Sequence, residues 1–544
     1  MKQLLTERIA TGLRRQSIST CSAWARNYRI MGSPCPGKWS FDHHPWTKEM
    51  HDCKEELVVG QKAAQMGFTE AALNKCFFAI DVEGKSVLYI LPGDNNAGDF
   101  SSSRFDPALE LSPHLRNMFS SVKNVAHKRA GSANLFVRGS RSKSKLKSDP
   151  VALCIFDEVD EMNQDNITLA FERMSGQSDK QAFMISTPTI DKKGINKFFR
   201  ASSQDHFFFK CPHCNRLTEL IFPECLVITA SEIHDPKIRD SHIICKECGK
   251  RLEHAAKREF LKDGIWVPQY EGRLSRGFYI NQLYSTMLKP WELAQMYLKA
   301  QVNLSDEQEF YNSKLGLTHT VSGAQITDAM IDDCIGGYKS HDSSVDGFIT
   351  MGIDVGSYLH YEVDQYYFDG DTSTADLNLM TKCKVLKAGK VETFEELDVL
   401  MKQYRVNACV IDNQPETRKA LEFAARWEGL VKLCIYGQGV AGKNLHVHSE
   451  DEYKMTVDRT NWIDVSLGRF KTKRISLPVD ISQEYREHIK AQVRVYSYDK
   501  LGNPVGKYTK GENDADHLAH ARNYAEIALQ LGVAGMESRD ISEV

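Results

Sequence analysis

The sequence predicts an α/β protein whose mostly parallel sheets carry the chemistry. Short apolar runs recur along the chain: EELVVG (55–60), SVLYILP (86–92), VALCIF (151–156), FMIST (183–187), FITMGIDVG (348–356) and ACVID (408–412). Continuous runs of this kind read as strands buried on both faces, as in a parallel sheet. The sharpest of them, VALCIFDEVDEM, stops abruptly at Asp157-Glu158. Open parallel sheets place functional residues at the carboxyl ends of their strands. An acidic pair there suits an ATPase: one carboxylate to hold Mg²⁺, one to orient and deprotonate water. The same letters also describe a strand followed by an acidic helix N-terminus, which the helix dipole favours.

Composition narrows the class. The 544 residues have room for two to four domains. Hydrophobic content of 42% and charge of 26% are ordinary for a globular protein. No run approaches the ~18 apolar residues of a membrane span. The opening MKQLLTERIATGLRRQ is too polar for a secretory signal. The expectation is an intracellular protein with no membrane partner. Fourteen cysteines in a chain this long do not suggest a disulfide scaffold. The net charge of −3 is uninformative, but its distribution is not: Leu111 to Ser148 holds nine Lys or Arg and no acid. Arg138, Arg141, Lys143, Lys145 and Lys147 belong to it. On one face such a segment attracts phosphate backbone; a mobile basic loop without a ligand fits equally well.

In chain order, residues 1–40 read as a short helix and then an irregular segment around Pro34-Cys35-Pro36. His43-His44-Pro45-Trp46 follows, then a helix from Thr47 to Cys53. Trp46, just ahead of the first strand, either stacks on a nucleotide base or packs in the core. EELVVG leads through QKAAQMGFTE into a helix, Ala71–Ile80. Strand, turn, helix is the context of a phosphate loop, where backbone N–H groups at a helix start cradle phosphate. Against G-x-x-x-x-G-K-[ST], Gly67 and Thr69 hold the second Gly and the hydroxyl position. Phe68 stands where Lys is usual, and Lys62 stands at the front. The loop works if Lys62 reaches the phosphates from there while Thr69 helps hold Mg²⁺. FMIST ends in Ser186-Thr187-Pro188-Thr189. The order phosphate loop, strand, acidic strand, hydroxyl-ended strand is that of helicase-like ATPases, whose last strand end senses the γ-phosphate.

Cys211-x-x-Cys214 and Cys245-x-x-Cys248 are separated by 30 residues. Two such pairs close a tetrahedral Cys₄ zinc site, structural because no coordination position stays open. The long gap suits intervening strands. A redox pair, or His213 replacing one thiolate, are the alternatives. From Trp266 to about Asn312 the pattern reads as helical and aromatic, and Leu317–Ser344 as a linker. FITMGIDVG then opens a second α/β domain. Asp354 and Asp412 lie at two strand ends, and Asp516 precedes a helix, His517–Leu531. Three carboxylates so placed are what an RNase H-like fold uses to hold two divalent metals for phosphodiester hydrolysis. Carboxylate ligands suit Mg²⁺ or Mn²⁺. Asp514 competes for the third position. His517 and His520 follow on the helix, and Arg469–Arg474 offers a further basic edge.

Together these motifs resemble the large terminase subunit of tailed bacteriophages of the lambda-like family, from about Pro45 to about Ala528. The resemblance rests on QKAAQMGFTE with its Lys at the front, on DEVDE (157–161), on STPT (186–189) and on the cysteine insert behind it. It implies a P-loop ATPase domain at 56–316, entered through 1–55, with a zinc-ribbon insert near 205–255. A linker at 317–345, an RNase H-like nuclease at 346–534 and a tail at 535–544 complete it. In that reading Lys62, Gly67, Phe68, Thr69, Asp157 and Trp46 bind ATP with Mg²⁺, and Glu158 is the catalytic base. Ser186, Thr187 and Thr189 couple hydrolysis to movement. Asp354, Asp412 and Asp516 hold Mg²⁺ or Mn²⁺ for cutting, and Cys211, Cys214, Cys245 and Cys248 hold Zn²⁺. The partners implied are double-stranded DNA, the portal of the procapsid, a small terminase subunit and further copies in a ring, all in the host cytoplasm. The competing readings are a zinc-ribbon transposase-like nuclease and a DNA-binding scaffold with an inactive phosphate loop.

Overall fold

The computed structural model describes residues 18–119, 122–147, 150–343, 346–368, 377–437, 444–448, 453–498, 504–512 and 514–540. The first 17 residues of the N-terminal segment and the last four of the tail lie outside them. The chain divides into two compact units, Met1–His319 and Thr320–Val544.

The first unit is built on an eleven-stranded sheet. Its main elements are α1 (Thr47–Asp52), β1 (Leu57–Lys62), α2 (Phe68–Asp81), β2 (Val87–Leu91), β3 (Ala133–Gly139), β4 (Leu153–Asp157), β5 (Gln181–Ser186), β6 (Asp205–Lys210) and β7 (Arg276–Ile280). The strands lie in the order β6-β7-β1-β5-β4-β2-β3, every pairing parallel. β1, β2, β4 and β5 are buried almost end to end, which is why each reads as an unbroken apolar run. β7 corrects the sequence reading. GFYI falls in the stretch expected to be helical, yet it pairs with β1 from Val59 to Lys62. Four apolar residues are too few to separate a period of 3.6 from a buried strand; pairing with β1 decides it. Helix resumes only at Pro290–Ala300.

The second unit has an eight-stranded sheet. β8 (Phe348–Val355), β9 (Leu359–Phe368) and β10 (Thr381–Val391) form an antiparallel meander. β11 (Ala408–Asp412) and β12 (Val431–Tyr436) extend it in parallel from β8. Three helices matter to the site: α3 (Arg459–Lys471), α4 (Gln483–Ala491) and α5 (His517–Asp540). This is the arrangement expected of an RNase H-like domain. α5 comes down on β8 at Gly352, where a Cβ would lie 2.0 Å from the Ala521 carbonyl oxygen. Glycine alone permits that approach. Thr350 Oγ1 donates to the Ala525 carbonyl at 2.9 Å one residue pair along.

Beneath α5 sits a buried charge cluster. Arg522 bonds Glu362 at 2.7 Å and also contacts Asp364 and Glu526. Arg469 Nε donates to both oxygens of Glu526, at 2.8 and 2.7 Å. That employment corrects the reading of Arg469 as part of a basic edge: it is 2% exposed. Three carboxylates face two guanidiniums, so full ionisation would leave one uncompensated negative charge in the core. Burial, and then the Asp364 carboxylate, push Glu362 well above the usual range, which favours its protonated form. Among the described residues no helix is long and apolar enough to cross a membrane.

The raised pKa of Glu362 leads to a prediction. A carboxyl whose folded pKa is raised adds most stability below its unfolded pKa and loses it as pH rises. Glu362→Gln keeps the shape without the titration. Its melting temperature should therefore fall less than that of wild type between pH 5 and pH 8. Glu526→Gln, which uncovers two buried guanidiniums, should cost about 3–5 kcal/mol, read as a lowered melting temperature at every pH.

Candidate functional site

The first constellation forms where β1, β5 and β4 end side by side. Gly60 pairs with Ile185, and Asp157 pairs with the same residue from the other side. Lys62, the last residue of β1, is 5% exposed, and its Nζ lies 3.4 Å from both Glu158 Oε1 and Thr187 Oγ1. Thr69 Oγ1, in the first turn of α2, lies 3.4 Å from Asp157 Oδ1. Tyr89, on β2, donates its hydroxyl to the other oxygen of Asp157 at 2.7 Å. Burial, with the neighbouring Glu158 carboxylate, lifts Asp157 to about 6 against the pull of Lys62. Glu158 stands at φ 65, a left-handed backbone that costs a non-glycine residue energy. Gly67 takes φ 82, and a Cβ there would press on the His44 ring at 2.9 Å.

Two residues expected to bind ATP do other work. Trp46 is fully buried, so its ring offers no face to a base. Its indole N–H donates to the Met66 carbonyl at 2.8 Å and braces the loop from behind. Phe68 is 1% exposed and packs where a Cβ on Gly60 would stand, 2.7 Å from its ring. Only its backbone remains at the helix start.

Asp160 is the residue that sequence reasoning left without a role. Its carboxylate accepts from the Thr189 N–H and the Ile195 N–H, each at 2.9 Å. Its own N–H donates to Ser186 Oγ at 3.2 Å. Asp160 therefore pins the STPT segment to the acidic strand's exit. Desolvation raises it to about 6. The D-E-x-D spacing was the available signal. Arg104 ion-pairs with Glu70 at 3.5 Å on the helix behind the loop. In the basic segment, Lys128 is buried on Asp106, and Lys145 pairs with Asp94.

The four cysteines come together with their sulfurs all within 4.8 Å of one another. The two turns share one geometry. Asn215 N–H donates to the Cys211 carbonyl and Gly249 N–H to the Cys245 carbonyl, at 2.9 and 2.8 Å. Asn215 and Gly249 both have positive φ, 58 and 69. The Cys211 and Cys248 sulfurs are 3.9 Å apart, close to the ~3.8 Å edge of a tetrahedron with 2.3 Å zinc–sulfur bonds. His213 turns its Nε2 to the Arg251 carbonyl instead.

In the second unit, Ile353 pairs with Ile411, so Asp354 and Asp412 follow it as neighbours on parallel strands. Burial and the Asp354 carboxylate lift Asp412 to about 6. Asp516, 6% exposed, accepts from Gln492 Nε2 at 2.6 Å, pairs with His520 at 3.2 Å and contacts Lys510. Burial opposes its ionisation, but His520 and Lys510 outweigh that and hold it well below the usual carboxylate range. Asp514 is exposed and folds over Gly511, where a Cβ would meet its carboxylate at 2.3 Å. Asp354 accepts from His517 Nδ1 at 2.8 Å, a contact that raises the imidazole's pKa. His360, on β9, stacks on His517 at 4.6 Å. Burial lowers His360 to about 4, so it is neutral at pH 7. His360 escaped the sequence reading because it lies alone in a strand with no motif around it.

Comparison with known proteins follows the same division. Residues 33–266 match the family described as phage terminase large subunit gpA, ATPase domain. Residues 275–504 match the terminase large subunit gpA, endonuclease domain. Asp516 lies beyond that span. A curated relative, the terminase large subunit of Enterobacteria phage P21, is 20% identical over 393 residues, 64% of this chain. The match spans 60% of that relative's length. The crystal structure of the HK97 bacteriophage large terminase aligns with a TM-score of 0.53 at 11% identity, covering 94% of this chain and 99% of that one.

Removing the Asp160 carboxylate should show what it holds. Asp160→Ala leaves the Thr189 and Ile195 N–H groups without their acceptor, at about 1–3 kcal/mol each where water does not replace it. The expected result is a lower melting transition together with slower ATP turnover, measured by calorimetry and phosphate release on the same preparation.

Proposed function

Because the chain belongs to the gpA family of phage terminase large subunits, we propose that it is an ATP-driven DNA-packaging motor joined to a metal-dependent endonuclease. The observation that carries the motor reading is the meeting of Lys62, Thr69, Asp157, Glu158 and Thr187 at three adjacent strand ends. Lys62 supplies buried positive charge for the β- and γ-phosphates. Its present partners, Glu158 and Thr187, show how far it reaches. Once phosphate draws Lys62, the Glu158 carboxylate is released to orient the attacking water and take its proton. Thr69 and Asp157 present hard oxygen donors side by side, the chemistry Mg²⁺ selects. Mg²⁺ held there would neutralise charge developing on the phosphates. Thr187 faces the same space, and Ser186 and Thr189 connect it to Asp160, which gives the segment a means of passing on the state of the γ-phosphate. The transposase-like and scaffold readings leave this set without work.

For cutting, Asp354, Asp412 and Asp516 are the proposed carboxylates for Mg²⁺ or Mn²⁺. Their oxygen donors at strand ends and a helix start suit those ions. Divalent cations there supply Lewis acidity for phosphodiester hydrolysis. His520 pairs with Asp516 through Nε2 at 3.2 Å and turns its Nδ1 to the Tyr436 hydroxyl, so it is placed to orient Asp516. The Cys₄ cluster is proposed as a structural Zn²⁺ site. The proposed partners are double-stranded DNA, the procapsid portal, a small terminase subunit and other copies of the chain in a ring, in the cytoplasm of the bacterial host.

DNA-stimulated ATP hydrolysis and Mn²⁺-dependent plasmid cutting separate the two activities. Lys62→Ala and Glu158→Gln should lower ATPase by at least about 100-fold and spare cutting. Asp354→Ala should do the reverse. Loss of both activities in every variant would refute the division of labour. Metal analysis of purified protein should find one zinc per chain, and less than half an equivalent with four reactive thiols would remove the zinc assignment.

A further inference from the structure

One ring nitrogen of His360 is orphaned beside the proposed nuclease carboxylates. His360 sits directly opposite Asp354 in the antiparallel β8–β9 pair. Directly paired residues project from the same face, with Cβ atoms about 5 Å apart. His517, the first residue of α5, closes the third side. The potential ligand atoms of Asp354, His360 and His517 all lie within 4.8 Å of one another. Asp412 and Asp516 stand outside that group. His360 is 5% exposed, and its Nδ1 has no hydrogen-bond partner among the described residues. A buried ring nitrogen left unpaired is destabilising until a ligand or donor satisfies it. Asp354 and His517 are 8% and 40% exposed at the side chain, so the group is buried at one end and open at the other.

Two arrangements account for this. In the plain one, protonated His517 pairs with Asp354 and His360 merely stacks behind it. That leaves the His360 nitrogen unemployed. A divalent cation bound among the three groups employs every one of them.

We propose that Asp354, His360 and His517 form a mixed carboxylate–imidazole site for a first-row divalent transition-metal cation rather than Mg²⁺, with Mn²⁺ as its spectroscopic probe. The proposal rests on the nuclease reading of Asp354 and deepens it. Asp354 belongs both to the carboxylate set with Asp412 and Asp516 and to this second set. Imidazole nitrogen suits the later first-row ions and binds Mn²⁺ more weakly, whereas Mg²⁺ holds to oxygen and water. One ion of the centre is thus selected by nitrogen ligands, and the carboxylates alone do not set the metal preference. His488 packs against both rings, 5.8 Å from His360 and 5.9 Å from His517, and its Nδ1 accepts from the Leu518 N–H. It is a positioning residue, which holds α4 against the start of α5.

The test is Mn²⁺ binding to the full chain without nucleotide, followed by electron paramagnetic resonance. Wild type should bind Mn²⁺ with nitrogen coupling in the echo envelope, and an excess of Mg²⁺ should displace that ion poorly. His360→Gln should weaken this Mn²⁺ at least tenfold and reduce the nitrogen coupling. Asp412→Asn should leave the coupling in place. Bound Mn²⁺ without nitrogen coupling in wild type overturns the proposal, even if His360→Gln fails to fold. Unchanged affinity and coupling in folded His360→Gln overturn it as well. Failure of the nuclease reading looks different: nitrogen-coupled Mn²⁺ would persist in a wild-type protein that never cuts plasmid. In that case the mixed site stands and its use in cutting does not.

Discussion

Parallel register is the constraint on which the first unit depends. β5 lies between β1 and β4, and Ile185 is paired with Gly60 on one side and Asp157 on the other. That double pairing sets where each strand stops. Lys62, Thr187 and the Asp157-Glu158 pair then emerge at one level, close enough for 3.4 Å contacts among flexible side chains. A slip of one residue in any of the three strands would send its functional side chain to the opposite face. The buried tyrosine hydroxyl on Asp157 and the indole N–H on Met66 are second fixings of the same geometry. They hold the acid and the loop from behind, away from the space where phosphate would lie.

The second unit meets the same need with a different device. Its acids come from one parallel pair and one helix, so the helix must be fixed in height and rotation against the sheet. Gly352 sets the height by letting α5 touch β8 through backbone atoms. The Arg522–Glu362–Asp364–Glu526–Arg469 cluster sets the rotation. Its ion pairs tie α5 to β9 and α3 in the core. A buried cluster of this kind stabilises little against an apolar equivalent, but it tolerates few alternative positions. Asp516, His517 and His520 lie on the first turn or just before it, so their placement follows from that anchoring.

The contrast explains what the sequence made legible. Strands buried on both faces write themselves as apolar runs, and β1, β2, β4, β5, β8 and β11 were readable for that reason. The ends of β4 and β11 were readable too, because each apolar run stops at an acid. Side-chain destination was not readable. Trp46 and Phe68 stood at positions where a ligand contact and a core contact carry the same letter, and tertiary packing chose the core for both. β7 was lost to a helical expectation because its four apolar residues carry no period. Asp160 was visible as a letter in DEVDE, yet its task depends on Thr189 and Ile195, which lie about thirty residues away and meet it only in the fold.

His360 shows the same limit from the other side. Nothing near it in the chain marks it, because the residue that gives it meaning, Asp354, faces it across a strand pair. Strand pairing can thus add a nitrogen ligand to a carboxylate centre without writing a motif. The consequence is chemical. A centre of carboxylates alone takes Mg²⁺ and Mn²⁺ by similar oxygen chemistry, and availability then favours Mg²⁺. In the proposed site, one imidazole would shift the balance away from Mg²⁺ toward first-row transition ions, and two would shift it further. In the proposed site, metal preference would follow from the register of β8 and β9 and from where α5 begins, the two features that Gly352 and the buried charge cluster hold in place.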